Sequence, residues 1–148
     1  MTRDEWVEVC GEALGDGCIE HFHPLEICDV GREGHGAVLL APRPNLIINA
    51  IRLCRVLLYL REAVRPTSVL VNSWFRSSIY NARIGGVPRS MHLTCGAADV
   101  TKVGFAPDEV ADILERHPDS DEFGIGRYKT FTHIDIRGRI GRDAPARW

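Results

Sequence analysis

Residues 131–138 read FTHIDIRG, and the alternation of their side chains over 131–137 predicts a β-strand. Residues two apart in a strand point to the same face, about 6–7 Å from each other. His133 and Asp135 are therefore expected on one face, while Ile134 and Ile136 face the core. An imidazole beside a carboxylate is typical of a metal ligand with a neighbouring base or second ligand, although a polar solvent-exposed face produces the same pattern.

The remaining chain mixes helices and strands around this strand. The predicted helices are residues 4–14, 45–64 and 107–117, and the other predicted strands are 67–74 and 97–103. Residues 31–36 and the pair Gly124 and Gly126 are expected to form turns, and residues 76–89 a loop. Because this order has no regular β-α-β repetition, we predict an α+β fold with a small, mostly antiparallel sheet and flanking helices.

Length and composition favour one domain over residues 1–148, with residues 1–42 as a variable N-terminal portion. Hydrophobic residues are 45% and charged residues 26% of the chain, which excludes a disordered or collagen-like protein. The formal net charge of −2 provides no broad basic surface, so no nucleic-acid partner is expected. The sequence has no apolar stretch of about 18 residues, so no membrane span is expected. The N-terminus has no signal-peptide pattern. The protein is expected to be a monomer.

The chain has five cysteines, and without an export signal we expect free thiols in a reducing compartment. Cys18, His21, His23 and Cys28 lie close in sequence and are candidates for a second, structural zinc. Their spacing matches no standard zinc finger, so buried thiols and surface histidines are the favoured interpretation.

Residues 90–99 read SMHLTCGAAD and supply two more candidate ligands. Asp99 lies in an apolar run that predicts a partly buried strand, and a buried carboxylate is costly unless it is paired or bound to a metal. His92, Asp99 and His133 together would make a three-ligand site with an open fourth position, which is the arrangement of catalytic zinc.

Three blocks of sequence resemble one family of enzymes. They are SWFRSSIYN at 73–81, similar to S-G-Y-R-S-P-x-Y-N; GGVPRSMHLTCGAAD at 85–99, similar to S-x-H-x-x-G-x-A-x-D; and GIGRY at 124–128 with FTHIDIRG at 131–138 and ARW at 146–148. Their order over roughly residues 45–148 resembles the D-alanyl-D-alanine carboxypeptidase-like (M15) family of zinc peptidases. The resemblance implies the fold shared by hedgehog proteins and these carboxypeptidases.

The resemblance also implies roles for individual residues. His92, Asp99 and His133 match the ligands of one Zn²⁺ per chain. In relatives with a second histidine at the position of Asp135, that residue can be the third ligand, so Asp135 is an alternative to His133. Arg76 matches a catalytic arginine that steadies the substrate carbonyl or carboxylate, and Ser90 matches a substrate-contacting serine. Three further arginines are candidates for the cleft wall, with solvated or paired surface residues as the alternative: Arg127, Arg137 and Arg139.

Four positions depart from the family pattern. Trp74 replaces a glycine, Ser78 a proline and Cys95 a glycine, and we expect the Cys95 thiol to pack in the core instead of binding metal. Many relatives carry a carboxylate three residues before the last ligand as general base, where this chain has Thr130. The catalytic base is then expected to be Asp135 or a carboxylate of the preceding loop, namely Asp119, Asp121 or Glu122.

The resemblance implies a zinc-dependent peptidase that hydrolyses peptidoglycan stem peptides near D-alanine, as a D,D- or L,D-carboxypeptidase or endopeptidase. Without a signal peptide, the protein is expected to be made in the cytoplasm and to act on the cell wall after release or within a phage particle. A phage or prophage lysin fits that situation. The alternative is a non-enzymatic zinc-containing binding or virion structural module, which the missing carboxylate at Thr130 favours and the intact ligand set disfavours.

Overall fold

The computed structural model describes residues 2–28 and 41–148, and its centre is a five-stranded sheet. The strands are β1 (Val69–Ser73), β2 (Ala97–Lys102), β3 (Gly124–Arg127), β4 (Thr132–Asp135) and β5 (Ala146–Arg147). They lie in the order β1-β2-β4-β3-β5. The paired strands are antiparallel except β3 and β5, which are parallel. The prediction of an α+β fold with a mostly antiparallel sheet is confirmed.

Six α-helices flank the sheet in the described part of the chain. They are α1 (Arg3–Leu14), α2 (Asp16–Ile19), α3 (Pro24–Ile27), α4 (Ile47–Glu62), α5 (Ser78–Arg83) and α6 (Pro107–Glu115). The predicted helices correspond to α1, α4 and α6. Among the described residues, no helix combines the length and apolar character that crossing a bilayer requires.

The hydrophobic core lies on one face of the sheet, where α4 and α6 pack against the strands. Ile134 and Ile136 are fully buried there, as the alternation of the final strand predicts. The α1 helix joins the same core through Trp6, and a capping box between Thr2 and Glu5 fixes its first turn. This packing leaves the opposite face of β2 and β4 for polar side chains.

A buried lysine connects the sheet to the end of α4. Lys102, the last residue of β2, is 2% exposed, and its Nζ donates to the carbonyls of Leu60, Arg61 and Ala63 at 2.5, 3.0 and 2.8 Å. The last carbonyls of a helix have no partner within the helix, so a cation there satisfies them and opposes the negative end of the helix dipole. The contact fixes α4 against the strand that carries Asp99.

Two local predictions are wrong. Gly124 and Gly126 lie in β3 and not in a turn, because a strand beside β4 must leave space for the large side chains above it. A Cβ on Gly124 would lie 2.5 Å from Asp135 Oδ2, and one on Gly126 would lie 2.6 Å from the indole nitrogen of Trp148. The predicted loop 76–89 contains α5, which the Ser77 hydroxyl caps. The turn predicted at 31–36 lies outside the described residues.

The expectation of five free thiols is also wrong, because Cys18 of α2 and Cys54 of α4 form a disulfide. They are 36 residues apart, and only the packing of α2 on α4 brings them together. The structure therefore removes Cys18 from the N-terminal candidate zinc group. His23 instead caps α3, where its Nδ1 accepts from the backbone NH of Leu25.

Candidate active site

The register of the sheet places Asp99 and His133 side by side. Asp99 on β2 pairs with His133 on β4, and Ser73 on β1 lies on the other side of Asp99. Directly paired residues of antiparallel strands carry their side chains about 5 Å apart on one face. The polar face of the sheet thus brings together two of the three predicted ligands, and Asp135 follows two residues along β4 as predicted.

His92 reaches this face from a short 3₁₀ turn, Met91–Thr94, which precedes β2. Its Nδ1 lies 2.6 Å from the carbonyl oxygen of Trp74. Since a carbonyl only accepts, Nδ1 carries the proton and Nε2 keeps its lone pair. That Nε2 faces Asp99 Oδ1 at 3.3 Å. Trp74, which departs from the family pattern, thus orients His92 through its backbone.

Cys95 ends the 3₁₀ turn in the left-handed conformation, with φ of 60°. This conformation suits glycine, which is the residue of the family pattern at this position. Its thiol is buried in the hydrophobic core, and its carbonyl accepts a hydrogen bond from the Trp74 indole at 3.1 Å. Cys95 does not belong to the group of potential metal ligands found among the described residues.

That group consists of His92, Asp99 and His133, each offering one ligand atom, and these atoms all lie within 4.8 Å of one another. The three side chains are buried, with 2%, 6% and 8% of their residue surfaces exposed. Two imidazoles and one carboxylate are a donor set that zinc accepts, and three protein ligands are typical of catalytic zinc sites. The donor chemistry and the spacing of the atoms therefore fit a zinc ion.

Asp135 lies beside this group but is held by other partners. Its Oδ2 is 3.0 Å from Nε2 of His133, while Arg137 donates to both of its oxygens, at 2.9 Å from Nε and 2.8 Å from Nη2. His133 directs its other nitrogen, Nδ1, at Asp99 Oδ1, 2.8 Å away. A carboxylate that accepts from a ligating histidine fixes the ring and its tautomer. Between the two candidates for the third ligand, this geometry favours His133.

Arg76 lies at the wall of the same cleft. Its Nη2 is 2.5 Å from Asp99 Oδ2, and its Nε donates to the Ser73 hydroxyl at 3.0 Å. The backbone NH of Arg76 donates to the carbonyl of His92 at 3.2 Å. These contacts fix the guanidinium beside the candidate ligands and leave Nη1 without a hydrogen bond inside the described part of the chain.

Ser90 is buried, and its hydroxyl accepts from the backbone NH of His92 at 3.3 Å. Ser90 therefore caps the turn that carries His92, and it also lines the cleft. Its predicted contact with substrate stays a prediction.

The charge state of the group follows from its surroundings. Burial lowers the pKa of His92. Burial also lowers the pKa of His133, but hydrogen bonds to Asp135 and Asp99 outweigh this effect and raise that pKa above its ordinary value. For both carboxyls burial raises the pKa, yet hydrogen bonds from their imidazole and guanidinium neighbours hold it well below the ordinary value. Two ionised carboxylates thus flank the imidazoles, and Arg76 and Arg137 balance their charge.

The cleft has a volume of about 540 Å³. Of the carboxylates among the described residues, only Asp99 and Asp135 line it. Asp119 pairs instead with Arg139, and neither Asp121 nor Glu122 reaches the lining. Within the described chain, Asp135 is therefore the one candidate base of the sequence analysis that lies at the cleft.

Several residues of the cleft were only partly predicted from the sequence. Of the three candidate wall arginines, Arg137 lines the cleft, whereas Arg127 pairs with Asp108 and Asp112 on α6. The alternation that places His133 and Asp135 on one face of the strand extends to position 137. The sequence therefore already indicated that Arg137 lies on the same face as these two residues. Trp148 had no such signal, because parallel pairing of β5 with β3 brings its ring to 5.2 Å from that of His133.

The comparison with protein families gives a match to Peptidase M15 over residues 20–135, which is more than half of the chain. This chain belongs to the peptidase M15 family. The match confirms the family resemblance noted in the sequence; it begins at residue 20, before the resemblance at about residue 45, and it ends at residue 135. M15 peptidases are metallopeptidases, and the His92, Asp99 and His133 group is a possible metal site of that kind. Comparison with curated proteins gives no match.

Proposed function

We propose that this M15 protein is a zinc-dependent peptidase that hydrolyses peptidoglycan stem peptides near D-alanine. The observation that carries the proposal is the buried group of His92, Asp99 and His133 at a cleft that Arg76 also lines. Zinc bound there would supply a Lewis acid for the scissile carbonyl and would lower the pKa of water.

The residues around the ligands have separate tasks in this proposal. The guanidinium of Arg76, held by Asp99 and Ser73, is placed to bind a carbonyl oxygen as it gains negative charge, or a terminal carboxylate. Asp135 orients His133, while Arg137 holds Asp135 in place. Asp135 is also the only cleft carboxylate of the described residues outside the group of His92, Asp99 and His133, so the proposal assigns removal of the proton from the attacking water to Asp135 or to its pair with His133.

The proposed place of action is the cell wall, reached after release from the cytoplasm or as part of a phage particle. The disulfide between Cys18 and Cys54 supports action outside a reducing compartment, where such bonds persist.

A second candidate is a non-enzymatic zinc-containing module of the same fold. Thr130 favours it, because this residue lies where many relatives carry their general base and is exposed outside the cleft lining. In that case the ligands would hold zinc for structure or binding, without turnover.

Incubation of the zinc-loaded protein with purified sacculi separates the two candidates. New peptide termini, identified by mass spectrometry, are expected with the parent and are expected to disappear with His92→Ala and with a chelator. The position of the new termini distinguishes D,D from L,D specificity and carboxypeptidase from endopeptidase. A folded, zinc-loaded parent that releases no peptide from sacculi or from synthetic stem peptides would establish the non-enzymatic module instead.

A further inference from the structure

The cleft is positively charged although the chain is not. The chain has a formal net charge of −2, whereas the charged residues lining the cleft are four arginines and two aspartates. Two of the arginines, Arg76 and Arg137, pair with Asp99 and Asp135. The other two are Arg89 and Arg142, and neither has a carboxylate partner among the described residues. Arg76 and Arg137 already balance the two carboxylates of the cleft, so the charges of Arg89 and Arg142 are free to bind a ligand.

Both of these arginines are carried by ordered backbone. Arg89 lies in a loop that is fixed by hydrogen bonds from Asn81 Nδ2 to the carbonyl of Val87 at 3.0 Å and from the NH of Ser90 to the same carbonyl at 3.0 Å. The NH of Arg142 donates to the carbonyl of Arg137 at 3.0 Å. The loop and the segment after Arg137 thus present two guanidinium groups to one cleft.

A direct contact joins the two segments. Nη1 of Arg142 donates to the backbone carbonyl of Arg89, so the Arg142 side chain lies against the Arg89 segment. This bond uses one of the five donors of Arg142, and the other nitrogens make no hydrogen bond within the described chain. Arg89 and Arg142 thus bring two guanidinium groups with unused donors to the same cleft, and one such fork can give a carboxylate two parallel hydrogen bonds while the other adds a further donor.

We infer that Arg89 and Arg142 form a subsite for a second carboxylate of the substrate, on a residue other than the one at the scissile bond. The subsite makes the protein selective for stem peptides with a free carboxylate over the same peptides carrying a carboxamide. This inference rests on the proposed function, since it assigns the peptide to the cleft that holds the candidate ligands.

The test compares two synthetic stem pentapeptides, one with the α-carboxyl of its γ-linked glutamate free and one with that carboxyl amidated. The parent is expected to show about tenfold higher kcat/KM for the acid, mainly through KM, because a charged pair with arginine is bound equally in the ground and transition states. In Arg89→Gln/Arg142→Gln the preference is expected to fall to about twofold or less. Arg89→Gln alone keeps the backbone carbonyl that Arg142 contacts and is expected to lose part of the preference.

Arg55→Gln is the matched control for the single variant Arg89→Gln, because Arg55 is exposed on α4 and does not line the cleft, and each substitution changes the net charge by the same amount. It is expected to keep the full preference. A tenfold preference that persists in the double variant overturns the subsite. A loss of preference in Arg55→Gln that equals the loss in Arg89→Gln also overturns it.

A binding measurement separates this inference from the proposed function. The two peptides are titrated calorimetrically into the parent and the double variant with chelator present, so that no turnover occurs. If the parent binds the free acid more tightly than the amide and the double variant does not, the subsite is supported. If the zinc-loaded protein then cleaves neither peptide, only the proposed function fails. A parent that binds the two peptides equally, or binds neither, overturns the subsite whatever the protein cleaves.

Discussion

The carboxylate of Asp135 contacts both a candidate ligand and an arginine. His133 forms a hydrogen bond with one of its oxygens, and Arg137 donates to both. In Asp135→Asn the amide cannot offer Arg137 two charged acceptors, and His133 loses an anionic partner. We expect zinc affinity to fall about 10- to 100-fold, the usual scale for such an outer partner. If Asp135 also takes part in proton transfer, kcat is expected to fall by about 10²-fold or more.

The pH dependence of zinc binding tests the same residue independently. His133 must release its Nδ1 proton to ligate through that atom, so zinc affinity is expected to rise with pH through the pKa of His133, which its two carboxylate neighbours raise. In Asp135→Asn one of these neighbours is neutral, so the midpoint of the rise is expected at lower pH. Zinc competition with a chromophoric chelator from about pH 5.5 to 8.5 covers the range in which histidine titrates.

The control is Asp121→Asn, since Asp121 is exposed and outside the cleft. An unchanged affinity and midpoint in Asp135→Asn would show that Asp135 does not orient His133.

Gly124 shows why single residues of the site were harder to predict than the ligands. The ligands follow a local alternation and a family pattern, whereas the reason for glycine at 124 is a contact across strands. Its missing side chain makes room for the pair of Asp135 and Arg137, and no property of residues 124–126 alone reveals that. A glycine-rich segment has the local pattern of a turn, and the neighbouring strand decides otherwise.

At the scale of the elements, Lys102 provides a specific test of how α4 is held. Lys102→Met keeps the length of the side chain but leaves three carbonyls at the end of α4 without their donor. We expect the free energy of unfolding to fall by about 2–4 kcal/mol, the cost of unsatisfied buried polar groups. Urea denaturation followed by circular dichroism measures the change.

Lys129→Met is the matched control, because Lys129 is the other lysine of the chain and lies exposed in the loop before β4. It is expected to change stability by less than about 0.5 kcal/mol. Equal effects of the two substitutions would show that the contact between Lys102 and α4 contributes nothing specific.

The disulfide between α2 and α4 gives a second test at this scale. Titration of thiols in the denatured, unreduced protein is expected to find three, against five after reduction, because only Cys18 and Cys54 pair. Reduction is expected to lower the free energy of unfolding by about 2–4 kcal/mol, since the bond closes a loop of 36 residues in the unfolded chain. Cys18→Ser/Cys54→Ser should then be insensitive to the reductant; five thiols before reduction would contradict the pairing.

Across the whole molecule, the sequence predicted long, periodic elements and missed short or non-local ones. The α4 helix and the strands β1 and β4 have patterns of the correct period, whereas β2 shows an apolar run around Asp99. The β5 strand has only two residues, and its parallel pairing with β3 depends on the path of the chain after residue 137. Likewise, Cys18 and Cys54 meet through helix packing, which local pattern does not encode.

The candidate ligands come from three different elements, so metal binding is expected to stabilise the whole fold. His92 lies on the 3₁₀ turn, Asp99 on β2 and His133 on β4, and an ion that joins them binds the folded chain in preference to the unfolded one. The metal-free chain is still expected to fold, because Arg76 and Arg137 neutralise Asp99 and Asp135.

Free zinc at about 1,000 times its dissociation constant adds about 4 kcal/mol to the free energy of unfolding. For a chain of this length that corresponds to a rise in Tm of roughly 8–16 °C over the protein in chelator. Metal analysis is expected to give one zinc per chain, and His92→Ala is expected to fold, to lose most of the zinc and to show no such rise. His21→Ala tests the N-terminal histidines in parallel and is expected to keep both the zinc and the rise, since His21 is not part of the ligand group. If His21→Ala loses the zinc and His92→Ala keeps it, the metal lies at the N-terminal segment and the assignment of His92, Asp99 and His133 is wrong.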